Sequence, residues 1–120
     1  MKPIDPIMVS LLWLGIEDYT GLWEALAEVR EACPELTREE AEVETARLIL
    51  DLRRAQFIRL AMWEEPASER PLSELRVEEV EQLVMDGQWW SAPQVNGTRS
   101  IRFHTTDAGF ATYQQCVGWD

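Results

Sequence analysis

Leu50-Asp51-Leu52-Arg53-Arg54-Ala55-Gln56-Phe57-Ile58-Arg59-Leu60 reads as a helix running straight into a strand, and Arg102-Phe103-His104-Thr105-Thr106-Asp107-Ala108-Gly109 as a strand running into a helix start. In the first piece, Arg53 and Arg54 stand at a helix C-terminus, where the macrodipole favours cations. Phe57 to Trp63 then alternates imperfectly and is rich in large apolar groups, as a strand buried on one face is. In the second piece, Ile101 and Phe103 fall on one side of Ser100–Thr105, with Arg102 and His104 on the other. Thr106 or Asp107 caps a last helix that runs through Tyr113 and Gln114.

Outward from these pieces, each element has its own signal. Thr37-Arg38-Glu39-Glu40 has the capping-box spacing, so a long helix is expected over about Arg38 to Ala55. Val43, Ala46, Ile49, Leu50 and Leu52 are its expected buried face, and a turn near Glu42 could divide it. Asp5-Pro6 suits the start of a helix over Ile7 to Leu14, with a strand as the alternative and Gly15 as the stop either way. Asp18 or Thr20 caps a helix over 18–32, with Leu22, Leu26 and Val29 on one stripe. Glu64 to Pro71 reads as a loop. Ser73 or Glu74 opens a helix to Asp86, with Gly87 as its C-terminal cap. Asn96-Gly97 is a hairpin-turn signal. Trp119 is expected to tuck back.

Bulk properties bound the class. The 120 residues form one domain, 46% hydrophobic and 28% charged, with six Trp. A chain of this size buries about two-thirds of its unfolded surface. No apolar run approaches the ~20 residues of a membrane span, and the N-terminus lacks a signal-peptide pattern, so the expectation is a cytoplasmic protein with no membrane partner. Cys33 and Cys116 have no disulfide or CxxC spacing and are expected to be reduced, at least one as a core filler. The formal net charge is −11. Residues 1–50 hold 11 Asp/Glu against 4 Lys/Arg, and residues 51–120 hold 11 against 7. Such a field repels phosphate backbones and speeds encounter with basic partners.

The element order (helix, capped helix, longer helix, strand, strand, helix) resembles the winged helix-turn-helix superfamily. Three pieces carry the resemblance: Leu36-Thr37-Arg38-Glu39-Glu40-Ala41, Leu52 to Leu60, and Phe103 to Gly109 with its strand, Thr, two residues, Gly junction. It implies a mostly helical α+β domain over residues 1–120, with a two- to three-stranded antiparallel sheet. Two departures stand out. Gln56 occupies a position where glycine is usual, and residues 64–98 form an insertion between the wing strands. The resemblance also implies a recognition helix over about Glu42 to Ala55, whose first half would face bases. Here that half carries Glu42 and Glu44, and Arg47, Arg53 and Arg54 are the residues a DNA-binding version would use.

Catalytic signals are missing from the sequence. His104 is the single histidine, no nucleophile elbow surrounds a Ser, and no zinc, EF-hand or phosphate-loop spacing occurs. The carboxylates form helix-face runs. No catalytic residue, cofactor or metal is therefore expected. Trp89-Trp90, read as an extended pair, would send one ring to the core and one outward. The resulting expectation is a non-enzymatic module that binds another, basic protein, as an inhibitor, antitoxin or immunity-type protein does. Glu39, Glu40, Glu42 and Glu44 would steer the partner, and Trp89 or Trp90 would anchor it. The alternative is a DNA-binding transcription regulator, a homodimer that uses Arg47, Arg53 and Arg54.

Overall fold

The computed structural model describes residues 5–64, 71, 73–92 and 99–118. Asp5 starts the first helix, α1 (Pro6–Glu17): its Oδ1 accepts from the Ile7 amide at 2.8 Å, and Pro6 takes the first helical position. Gly15 does not stop this helix. It lets the helix lie against a strand, because a Cβ there would stand 2.6 Å from Thr105 Oγ1. Thr105 Oγ1 in turn donates to the Leu12 carbonyl at 2.7 Å.

The expected cap at Asp18 or Thr20 gives way to a short strand, β1 (Thr20–Gly21). Thr20 is held elsewhere, its hydroxyl donating to the Leu14 carbonyl at 2.9 Å. Helix α2 (Leu22–Ala32) therefore starts later, with the Glu24 carboxylate accepting from the Gly21 amide at 2.8 Å. Helix α3 (Arg38–Arg54) opens on the expected capping box. The Glu40 amide donates to Thr37 Oγ1 at 3.1 Å, and the Thr37 amide donates to Glu40 Oε1 at 2.9 Å. The helix is unbroken at Glu42.

At the end of α3 the Gln56 amide donates to Arg53 O at 3.0 Å and the Phe57 amide to Leu52 O at 2.9 Å. These paired bonds are a Schellman closure, which places its turning residue in the left-handed region. Gln56 has φ +64, the glycine conformation without glycine. A side chain there costs roughly 1–2 kcal/mol. Gln56→Gly is expected to stabilise the domain by about 1 kcal/mol, raising the thermal midpoint by roughly 4 °C. Calorimetry that finds the midpoint lowered would refute this account of the turn.

Strand β2 (Ile58–Glu64) follows, then β3 (Ser73–Glu74), α4 (Val77–Leu83), a 3₁₀ turn (Gly87–Trp90), β4 (Arg99–Thr105) and α5 (Asp107–Val117). The fold is α+β, with five helices and a four-stranded antiparallel sheet, in order β1-β4-β2-β3, among the described residues. The strand count exceeds the expected two or three because two-residue strands sit at both edges. The register between the long strands runs from Ile58 opposite Thr105 to Glu64 opposite Arg99.

The insertion differs from its expectation. Ser73–Glu74 is an edge strand rather than a helix start, because the Leu75 amide continues onto Leu60 O at 2.8 Å. Gly87 begins the 3₁₀ turn instead of capping α4, and Asp86 caps that turn by accepting from the Gln88 amide at 3.1 Å. The Trp pair lies in the turn, not in an extended segment. The loop over 65–70, Asn96-Gly97 and Trp119 lie outside the described residues. The C-terminal helix is capped by Thr106, whose Oγ1 accepts from Gly109 N at 3.1 Å and donates to Gln56 O at 2.7 Å.

The main core lies between the helices and one face of the sheet. It contains Leu11 and Leu12 of α1, Leu22 and Val29 of α2, Leu48 and Leu52 of α3, and Ile58, Leu60, Ile101 and Phe103 of the sheet. The opposite sheet face is covered more thinly. Tyr19 packs against Trp63 and His104, both at 4.8 Å between ring centroids, and Arg102 lies over the Trp23 ring at 5.1 Å. Neither cysteine fills the core. Cys33 sits at the end of α2 and Cys116 in the exposed last turn of α5, and both are free thiols.

Candidate functional site: an apolar groove on α3

Ala41, Thr45, Leu48 and Leu52 form the buried stripe of α3, at spacings of four, three and four residues. Val43 lies about half a turn away and is 69% exposed, against the expectation that it faces the core. Val43, Ala46 and Leu50 follow one another at i, i+3 and i+7. They make a second apolar stripe on the outer side of the helix. Ala46 is buried and Leu50 half-buried, so only the far edge of the stripe is open.

The segment between β2 and β4 meets this stripe. Val84, Met85 and Trp90 close a groove of about 400 Å³ with Val43, Ala46 and Leu50. Met85 is 76% exposed at its far wall. Trp90 is buried and held by its indole N–H, which donates to Val84 O at 3.2 Å, so it serves as floor rather than as a projecting anchor. Trp89 is half-buried against the core.

Charge surrounds the apolar floor. Glu39, Glu42, Asp51, Arg47 and Arg54 line the groove. Arg47 binds Glu44, and reaches Asp51 at 3.2 Å. Arg54 reaches across to Glu81 of α4 at 3.0 Å. Counting Glu44 and Glu81, five carboxylates face two guanidinium groups. Glu42 also takes a loose contact from Arg38 at 3.6 Å. Glu40 is turned away into the capping box. Of the residues expected to meet a partner, Glu39, Glu42 and Trp90 line the groove, Glu44 borders it, and Glu40 and Trp89 do not contribute.

The residues a DNA-binding version would use are spread apart. Arg47 and Arg54 lie in the groove, bridged to carboxylates. Arg53 lines a separate cavity at the C-terminal end of α3. Arg59 pairs with Glu74 at 3.7 Å on the sheet. Sequence reasoning missed Met85, Val84 and Leu50 as groove residues. The i, i+3, i+7 run of Val43, Ala46 and Leu50 was the available signal.

His104 faces Arg59 across the ladder and the Tyr19 ring edge-on. Burial holds its pKa below the ordinary 6.5, and Arg59 adds to this while Glu74 opposes it. A base with a depressed folded-state pKa binds fewer protons folded than unfolded. Its stability contribution is complete above the unfolded value and is lost as pH falls from about 6.5 towards the folded value. Denaturation measured between pH 7 and pH 5 should show a fall in stability that His104→Gln lacks. An equal slope in both proteins would exclude His104 as its source.

Among the described residues, no three His, Cys, Asp or Glu side chains are placed to hold a metal ion. No helix among them is long and apolar enough to cross a membrane. Compared with protein-family models, curated proteins and solved structures, the chain has no match.

Proposed function

We propose that this chain is a binding module of winged-helix type that captures a basic protein in the groove on α3, without catalysis of its own. The observation that carries the reading is an open apolar groove, flanked by Val43 and Met85, inside a rim richer in carboxylates than in arginines. An apolar floor supplies affinity by desolvation, and the rim selects and steers a cationic partner. The occupant that fits is a protein segment presenting an apolar side chain between Lys or Arg residues. A nucleic-acid-directed toxin has such a surface, which is why an antitoxin or immunity role suits the groove. A second copy of this chain fits poorly, since each carries −11 and the two rims would repel.

The winged-helix reading is supported by two helices joined through Cys33–Thr37, followed by a long antiparallel strand pair and a closing helix. The edge strand between α1 and α2 pairs with the returning strand β4. The left-handed backbone at Gln56, where glycine is usual, supports it as well. A DNA-reading version has less support. It needs Arg47 and Arg54 free for phosphates, and both already bridge carboxylates.

The test is a titration of isotopically labelled protein with the product of an adjacent gene, followed by amide and methyl shifts. The expected result is a complex at micromolar concentration that weakens with salt and perturbs Val43, Leu50 and Met85. A complex that leaves these three unmoved, or no complex with any neighbour, would count against the proposal.

A further inference from the structure

A second cavity, of about 600 Å³, lies at the other end of α3. It is bounded by the last turn of α3, the start of β2, the exit of β3 and the first turn of α5. Its charged lining is Arg53, Arg59 and Arg76 against Glu74 and Asp107. With Glu79, which pairs with Arg76 from outside the lining, three guanidinium groups meet three carboxylates, so the hollow is close to neutral in a chain of net charge −11.

The three arginines are incompletely used. Arg53 makes no ion pair or hydrogen bond among the described residues, and its Nε is enclosed without an acceptor. Arg59 stands 3.7 Å from Glu74, beyond good hydrogen-bond reach, with both side chains more than half exposed. Arg76 directs its Nε to Glu79 at 3.2 Å. The first turn of α5 adds Thr106, Asp107 and Ala108 to the wall. Thr106 Oγ1 is already committed to Gly109 N and Gln56 O, so it shapes the wall without being free to bind.

We infer that this cavity binds a small phosphate monoester, with Arg53, Arg59 and Arg76 on the phosphate and the polar remainder of the cavity on a hydroxylated body. Guanidinium forks match phosphate oxygens, and a dianion uses several forks at once where a single carboxylate uses one. Inorganic phosphate alone would leave most of such a volume empty, whereas a phosphorylated polyol or sugar is of the size that pockets of this class hold. Glu74, Asp107 and Gln56 supply acceptors for its hydroxyl groups. The site is separate from the groove on α3, and neither depends on the other.

The experiment is a titration of labelled protein with glucose 6-phosphate, inorganic phosphate, glucose and sodium chloride at matched ionic strength, read at arginine Nε–Hε and backbone amide resonances. Saturable shifts at Arg53, Arg76 and Thr106–Ala108 are expected with glucose 6-phosphate, weaker ones with inorganic phosphate, and none with glucose or chloride. Arg76→Gln, at an exposed position, and Arg53→Lys, which keeps charge and stem but loses the fork, should each weaken the ester about tenfold with an unchanged circular dichroism spectrum. Equal shifts with chloride, no saturation at about 10 mM ester, or undiminished affinity in both variants would overturn the inference. So would a DNA duplex that moves these resonances where the ester does not, which would assign the arginines to a nucleic-acid backbone.

Discussion

Gly109→Ala is expected to destabilise the domain by about 3 kcal/mol, with the thermal midpoint falling by roughly 10 °C. Gly109 is buried in the first turn of α5, its amide donating to Thr106 Oγ1 at 3.1 Å. Its α-carbon rests against the Phe57 carbonyl, where α5 crosses the start of β2. A Cβ there would collide with that carbonyl oxygen and stand 2.7 Å from Thr105 Cγ2. The carbonyl cannot retreat freely, because it accepts from the Thr106 amide at 3.0 Å. Relief would lift α5 away from the sheet or break the clasp between Thr106 and Gln56. A loss of this size is a large part of the roughly 5–15 kcal/mol that holds a domain folded. Gly87→Ala is the control, since nothing lies within 4 Å of a Cβ there, and it should stay within about 0.5 kcal/mol of the parent. Chemical denaturation of the two variants side by side decides the matter. Equal midpoints would show that the close approach at Gly109 is not what the position requires.

The second large effect concerns recognition. Val43→Ser combined with Met85→Ser should weaken the partner complex by about a hundredfold while leaving the thermal midpoint nearly unchanged. Both side chains are more than two-thirds exposed, so neither supports the core. Their value arises only when a partner covers the groove and removes them from water. Glu39→Lys, on the rim, should act differently. It makes no ion pair among the described residues, so its reversal should slow association about tenfold at low salt and leave dissociation nearly constant. Surface plasmon resonance separates the two effects. A double serine variant that binds like the parent would move the interface off this groove, and a rim variant that changes only dissociation would remove steering from the account.

Local chemistry was legible in the sequence wherever a short pattern closes on itself. The Thr37–Glu40 box and the Asp5 cap need only residues within a few positions, and they appear as read. The two long strands were legible because their side chains alternate against a buried face. The misreadings share a cause: they depend on residues distant in the chain. Gly15 looks like a helix stop until Thr105 is placed beside it, ninety residues on. Ser73–Glu74 looks like a helix start until β2 offers an edge. Val43 looks like core because α3 carries two apolar stripes, and periodicity alone merges them into one broad face. Gln56 carries no local signal for a turn, and only the backbone shows that it bends the chain in the left-handed region. The groove follows the same logic. Part of its acidic rim was readable from the run Glu39 to Glu44, whereas its floor required the segment between β2 and β4 to fold back on α3.

The bond from Thr105 to the Leu12 carbonyl joins positions ninety-three apart. On a ribosome adding about 5–20 residues per second, α1 waits roughly 5–20 s before the strand that covers it has been made. Throughout that interval Leu11 and Leu12, fully buried in the finished domain, have no sheet to lie on. Strand β4, which pairs with both β1 and β2, is the last of the four to be synthesised, so the sheet cannot close before it has been made. Until then the nascent chain exposes apolar surface that the strand later covers.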